Sequence, residues 1–176
     1  MGRVSTKENK NIYQEAREKM MEDGRPWSRE RAAEEIAEIE DGRFTYLNED
    51  KLVKIENETV KIQPEDVLGL SIAYNMPELR NHYCCHQCPI GERDAPRIKF
   101  KDNIHEMLVN MTVTLESVNQ RKMRLMEILA DGQVDDSETN DLDKILEELE
   151  KISITVESIQ LWCEKMKLID EDEDEN

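Results

Sequence analysis

WSRERAAEEIAEIEDGRFTYLNEDKLVKIEN, residues 27–57, reads as two short amphipathic helices joined by a turn. Ser28 has the side chain of an N-cap, and Ala32, Ile36 and Ile39 then recur at helical spacing, so SRERAAEEIAEI is a helix with one apolar face. Asp41-Gly42 marks a turn, and Phe44-Thr45-Tyr46-Leu47 reads as a short extended or loop segment. Asn48 caps the next helix, whose inward residues are Leu52 and Ile55. Working outward, Ile12, Ala16 and Met20 form one stripe of a helix from Asn11 to about Met21, which Gly24-Arg25-Pro26 breaks. Pro64 fits the first turn of a fourth helix, PEDVLGLSIAYN, with Val67, Leu68 and Ile72 on one side, and Pro77 follows its end. Trp27 and Tyr46 are expected in the core or stapled over it.

Past residue 100 the apolar period changes to heptads. Ile104, Leu108, Met111, Leu115, Val118, Leu125 and Leu129 recur at alternating spacings of four and three, interrupted only by Lys122. Leu142, Ile145, Leu149, Ile152, Val156, Ile159, Cys163 and Met166 continue the pattern after a short connector, ADGQVDDSETN. Two such seams predict long helices of about 40–45 Å, and the short connector favours antiparallel neighbours. Val113, Ile128, Ile154, Leu161 and Trp162 widen the stripe beyond what one hairpin buries. The extra face predicts a four-helix dimer with a second copy of the chain, in which Leu108, Met111, Leu115, Val118, Leu149, Ile152, Val156 and Ile159 are the dimerisation residues. The expected fold class is all-α: a four- to five-helix head over 11–80, a Cys-containing linker over 81–100, a helical hairpin over 101–168 and a disordered acidic tail over 169–176.

Charge separates the same regions. Of 176 residues, 41 are acidic and 24 basic, a net of −17. Residues 1–63 carry a net of −3, residues 64–100 a net of −1 and residues 101–176 a net of −13. An acidic chain argues against loose, charge-driven nucleic-acid binding, yet the near-neutral head leaves room for a local DNA-reading face. No apolar run is long enough to span a bilayer, and the N-terminus lacks an apolar leader core, so the expectation is a cytoplasmic protein with no membrane partner.

The succession of helix, turn, helix, then Ile55-Glu56-Asn57, then PEDVLGLSIAY resembles the repressor-type helix-turn-helix family (Cro and lambda-repressor-like, or XRE). Trp27 to Ile36 sits where that family has its first motif helix, with Ala33 at the small-residue position. Leu52 to Asn57 resembles the end of its recognition helix, and Pro64 onward its fourth helix. Tyr83-Cys84…Cys88-Pro89-Ile90-Gly91 and the closing ELEKISITVESIQLW resemble a bacterial subgroup with a C-terminal hairpin. The resemblance implies a sequence-specific, DNA-binding transcriptional regulator acting as a homodimer on double-stranded DNA. In that geometry Asn48, Lys51 and Lys54 face the major groove, and Arg25, Arg29, Arg43 and Lys61 contact phosphates. Two features depart from the family. About ten residues, Glu38 to Leu47, replace the usual three- or four-residue turn. The recognition helix also opens with Glu49 and Asp50, which suit a helix N-terminus but repel phosphates. The alternative reading is an acidic protein-interaction module, or a nucleic-acid mimic that occupies a partner protein's basic groove.

His82, Cys84, Cys85, His86 and Cys88 cluster within seven residues. Thiolates and imidazoles at this spacing suit zinc, with Cys84, Cys85, His86 and Cys88 as the candidate ligands; Cys85-x-x-Cys88 supplies one ligand pair and no second pair exists. A redox-sensing dithiol and a buried structural turn are the other readings. Residues 131–138 resemble the end of a calcium-binding loop, but Leu129 would occupy a position that needs an oxygen ligand. No glycine-rich phosphate loop, HExxH or GxSxG is present, so neither an enzyme nor any cofactor other than zinc is indicated.

Overall fold

The computed structural model describes residues 9–98, 103–130 and 138–174, with side chains through Lys167. The fold is all-α apart from one two-stranded ribbon. The chain divides into two compact units, and the second is Pro96–Met166, which holds the two long C-terminal helices, the last of them up to Met166.

In the first unit, α1 (Ile12–Lys19) is capped by Asn11, whose side chain accepts from the Gln14 amide and donates to the Ile55 carbonyl at 2.9 Å. One residue thus starts α1 and ties it to α3. Met21–Glu22 (β1) and Arg25–Pro26 (β2) pair antiparallel around Asp23 and Gly24, both at positive φ, the conformation that a two-residue hairpin turn demands. The sequence reading placed only a break here. Ser28 caps α2 (Arg29–Glu38) through the Arg31 amide, and Asn48 caps α3 (Glu49–Glu56) through the Lys51 amide. α4 (Pro64–Ala73) begins with proline, whose missing N–H costs nothing in a first helical turn.

The connection between α2 and α3 is not loose. A short 3-10 turn occupies Ile39–Gly42, with Glu40, Asp41 and Gly42 at positive φ. It reverses the chain so that Phe44 and Leu47 enter the core fully buried, while Tyr46 stays 45% exposed. Tyr46 was expected inside; it points outward because Phe44 and Leu47 already fill the space under α4. That space exists because residue 69 is glycine: a Cβ there would lie 2.9 Å from both side chains. Trp27 packs against the core as expected, in a T-shaped pair with Tyr74 and with Arg31 over its ring.

The expected linker at 81–100 is a correction. Glu78–Gln87 forms α5 and Gly91–Asp94 forms α6, both within the first unit. Leu79 and Tyr83, one turn apart, pack on the core, while Cys85 is buried on another side of α5, toward the Ala95 carbonyl. α6 folds back onto α5 so closely that a Cβ on Gly91 would sit 2.4 Å from the Cys84 carbonyl oxygen.

In the second unit α7 (Ile104–Ile128) and α8 (Thr139–Asp174) contain neither glycine nor proline. They run antiparallel, since Arg124 pairs with Asp141 at 2.9 Å and Ser117 hydrogen-bonds Glu148. Over 169–174, part of the stretch read as a disordered tail, α8 continues as a helix to Asp174, and residues 175–176 lie outside the described residues. Extending an existing helix adds one hydrogen bond per residue without a new nucleus. The calcium-loop-like stretch at 131–137 lies outside the described residues. Among the described residues, no helix is long and apolar enough to cross a membrane.

Two substitutions probe these contacts. Gly91→Ala is expected to lower the urea midpoint by forcing α6 off α5, whereas Gly24→Ala, with no atom within 4 Å of a new Cβ, should cost only its backbone strain. Equal effects at the two positions would contradict the close approach.

Candidate nucleic-acid interface

α3 is the element that the sequence reading assigned to a DNA groove, and it is held at both ends by buried carboxylates. At its C-terminal end, Glu56 is 3% exposed although ionisable. It lies beside Leu52 and Ile55 on the inward face. Arg17 of α1 grips it with two nitrogens, Nε at 2.7 Å and Nη2 at 3.0 Å, and Arg29 of α2 donates from Nε at 2.8 Å. Arg17 also donates to the Trp27 carbonyl. Burial disfavours the charge on Arg17, but the hydrogen bond and charge of Glu56 outweigh it, so its pKa is raised. One carboxylate therefore joins α1, α2 and α3.

At the other end, Asp66 of α4 is 1% exposed and accepts from the Gln63 amide at 2.9 Å. Lys51 reaches the same Oδ2 at 3.3 Å. Lys51 thus fastens the first turn of α3 to the first turn of α4, and Asn48 uses its side-chain oxygen as the cap. Neither buried carboxylate was singled out from sequence. The signal was present for both: Glu56 follows Leu52 and Ile55 at inward positions, and Asp66 stands three residues after Gln63 at a helix start.

The residues assigned to DNA are therefore unequally placed. Arg29 and Lys51 are committed to Glu56 and Asp66. Arg43 is exposed, pairs with Glu40 at 2.6 Å and lies over the Phe44 ring. Arg25 is exposed on β2, Lys54 on the outer side of α3, and Lys61 on the connection between α3 and α4. Glu49 and Asp50 are exposed on the first turn of α3, where the helix dipole favours them by about 0.3–1 kcal/mol each. The outer face of α3 thus presents Asn48, Glu49, Asp50 and Lys54 together.

Behind α3 an open cleft of ≈ 640 Å³ separates the start of α1 from α5, and Lys61, Tyr13, His82 and His86 border it. The two imidazoles stack at 4.4 Å, and His86 shares a 2.9 Å hydrogen bond between Nδ1 and the His82 carbonyl. Burial, and then the neighbouring His86, lower the His82 pKa. The candidate zinc ligands do not converge. Cys85 turns inward toward the Asn81 side chain and the Ala95 carbonyl, whereas His86 is exposed against His82. Among the described residues no group of three His, Cys, Asp or Glu is arranged to hold a metal ion. Of the dimer residues named from sequence, Leu108, Leu115, Leu149 and Val156 are exposed, while Met111, Val118, Ile152 and Ile159 are half-buried within the second unit.

No protein-family model, curated protein or solved structure matches the chain.

Two outcomes follow from these placements. Glu56→Gln leaves two guanidinium groups facing a neutral amide in a buried site, and is expected to cost about 3 kcal/mol or more in urea unfolding. A loss below about 1 kcal/mol, the range of exposed pairs, would contradict the buried clasp. Because the folded His82 pKa lies below its unfolded value near 6.5, the unfolded chain takes up the proton first, so stability falls as pH drops through about 6.5. His82→Phe should lose less stability than the parent between about pH 7.5 and pH 5.5; an identical pH slope would remove His82 as a source.

Proposed function

We propose that this chain is a sequence-specific DNA-binding transcriptional regulator that acts in the cytoplasm as a homodimer, in the manner of the repressor-type helix-turn-helix proteins that it resembles. The observation that carries the reading is the mounting of α3. It is clamped at one end by Glu56 and at the other by Lys51 and Asp66, and its outward face remains exposed. A short helix fixed so firmly and left uncovered on one side suits insertion into a major groove, where small displacements would cost base contacts. Lys54 is the cation on that face, Asn48 keeps its amide nitrogen for a base edge, and Glu49 and Asp50 suit cytosine amino groups. Arg25, Arg43 and Lys61 supply phosphate contacts around it. Arg29 and Lys51 act by holding α3.

A second reading has its own support. Arg29 and Lys51 are half-buried and paired with carboxylates, whereas Glu49 and Asp50 are exposed. An acidic tip of this kind suits the basic groove of a partner protein.

The discriminating experiment is selection of bound sequences from random DNA, followed by fluorescence anisotropy at two salt concentrations. The DNA reading expects binding that weakens with salt, and Lys54→Ala should weaken it further and reduce the salt slope by about 1 if Lys54 touches phosphate. No bound DNA at low salt would overturn this reading and favour the acidic module.

A further inference from the structure

The contacts Arg124–Asp141 and Ser117–Glu148 fix which sides of α7 and α8 meet, and Ile128 and Ile145 on those sides are buried. Away from that seam each helix carries a second apolar row. The rows are Leu108, Leu115 and Leu129 on α7, and Leu146, Leu149 and Val156 on α8, between 39% and 57% exposed. Because the helices are antiparallel, both rows come out on the same side of the hairpin. A groove of ≈ 230 Å³ opens between them, lined by Leu115, Val118, Leu125, Ile145 and Leu149 with Lys122 at its edge. The first unit offers far less: its exposed large hydrophobic residues are Met21, Tyr46 and Ile90 among the described residues.

Two hairpins stacked on this face about a two-fold axis can pair in two ways. Like helices lie on like, or α7 of each copy lies on α8 of the other. Charge separates the two. Over residues 139–167, α8 carries seven carboxylates and four lysines, and Asp143, Glu150 and Glu157 border its second apolar row at heptad spacing. On α7, Lys122 interrupts the apolar row itself. Like-on-like stacking runs each helix antiparallel to its own copy, so the acidic edge of α8 faces an acidic edge, and Lys122 faces the apolar row of the partner's α7, which carries no carboxylate. Crossed stacking repeats between chains the register seen within one: Arg124 level with Asp141 and Ser117 with Glu148 puts Lys122 level with Asp143. Its long stem can then cross the apolar row while the ammonium reaches the carboxylates at the edge.

From this charge pattern and the shared apolar face, we infer that the hairpin's occupant is a second copy of this chain, with α7 of each copy antiparallel to α8 of its partner and Lys122 beside the partner's Asp143 and the partner's Glu150. The inference rests on the dimer reading above and specifies its geometry. It also gives the lone lysine in an otherwise apolar row a role: Lys122 selects the crossed pairing over the like pairing.

The test uses the full chain, since Lys122, Asp143 and Glu150 are all exposed and their replacement leaves the hairpin's own contacts intact. Sedimentation equilibrium gives the mass of the parent, of Lys122→Glu and of the double variant Asp143→Lys/Glu150→Lys, with helicity by circular dichroism as the folding control. Each variant alone should self-associate about ten-fold more weakly or worse, and an equimolar mixture should recover the dimer, because both interfaces of the mixed pair are then complementary. Homodimers of both variants as tight as the parent, with no gain on mixing, would overturn the crossed pairing and leave the dimer standing. A parent chain sedimenting as a monomer would overturn both.

Discussion

A single buried carboxylate organises the head of this protein. Glu56 is 3% exposed, where an unpaired charge would cost several kcal/mol. It is tolerated because Arg17 meets it with two parallel hydrogen bonds and Arg29 adds a third. Such a pair adds little net stability over a well-packed apolar substitute, but removing one partner is expensive. Its effect is therefore specificity. Three helices packed only by Ile and Leu could slide past one another, whereas the fork of Arg17 has one place to fit.

The connection between α2 and α3 belongs to the same constraint. Ten residues would ordinarily leave the second helix poorly fixed, since long loops lose orientation. Here three consecutive positive-φ residues turn the chain, and Phe44 and Leu47 anchor it against Gly69. The loop becomes part of the core, and Lys51 with Asp66 then fixes the start of α3. The angle of that helix is set by buried contacts at both ends, so the departure from a tight turn need not loosen it.

Much of this was legible in the residues, though unevenly. Ser28, Asn48 and Pro64 marked helix starts correctly because capping is local chemistry: one side chain and one or two backbone amides decide it. Heptad spacing marked α7 and α8 for a similar reason. The Cys-rich segment was read as a linker because Cys, Gly and Pro signal one in composition, while Leu79 and Tyr83 lie at helical spacing that only the presence of the core makes decisive. The partners of the charged residues were the least legible. A lysine or arginine near a motif helix reads as a surface cation, and nothing local in the sequence pairs Arg29 with Glu56, 27 residues away, or Lys51 with Asp66. Long-range ion pairs depend on how the helices cross, which is a tertiary fact.

The most direct measurement of whether α3 reads a duplex is amide chemical-shift mapping of the isotopically labelled chain during titration with its selected DNA. Shifts concentrated at Asn48, Glu49, Asp50 and Lys54, with smaller ones at Arg25 and Lys61 and none across the α7–α8 groove, are the expected result. Shifts confined to the hairpin, or a first turn of α3 that DNA leaves unmoved, would contradict it.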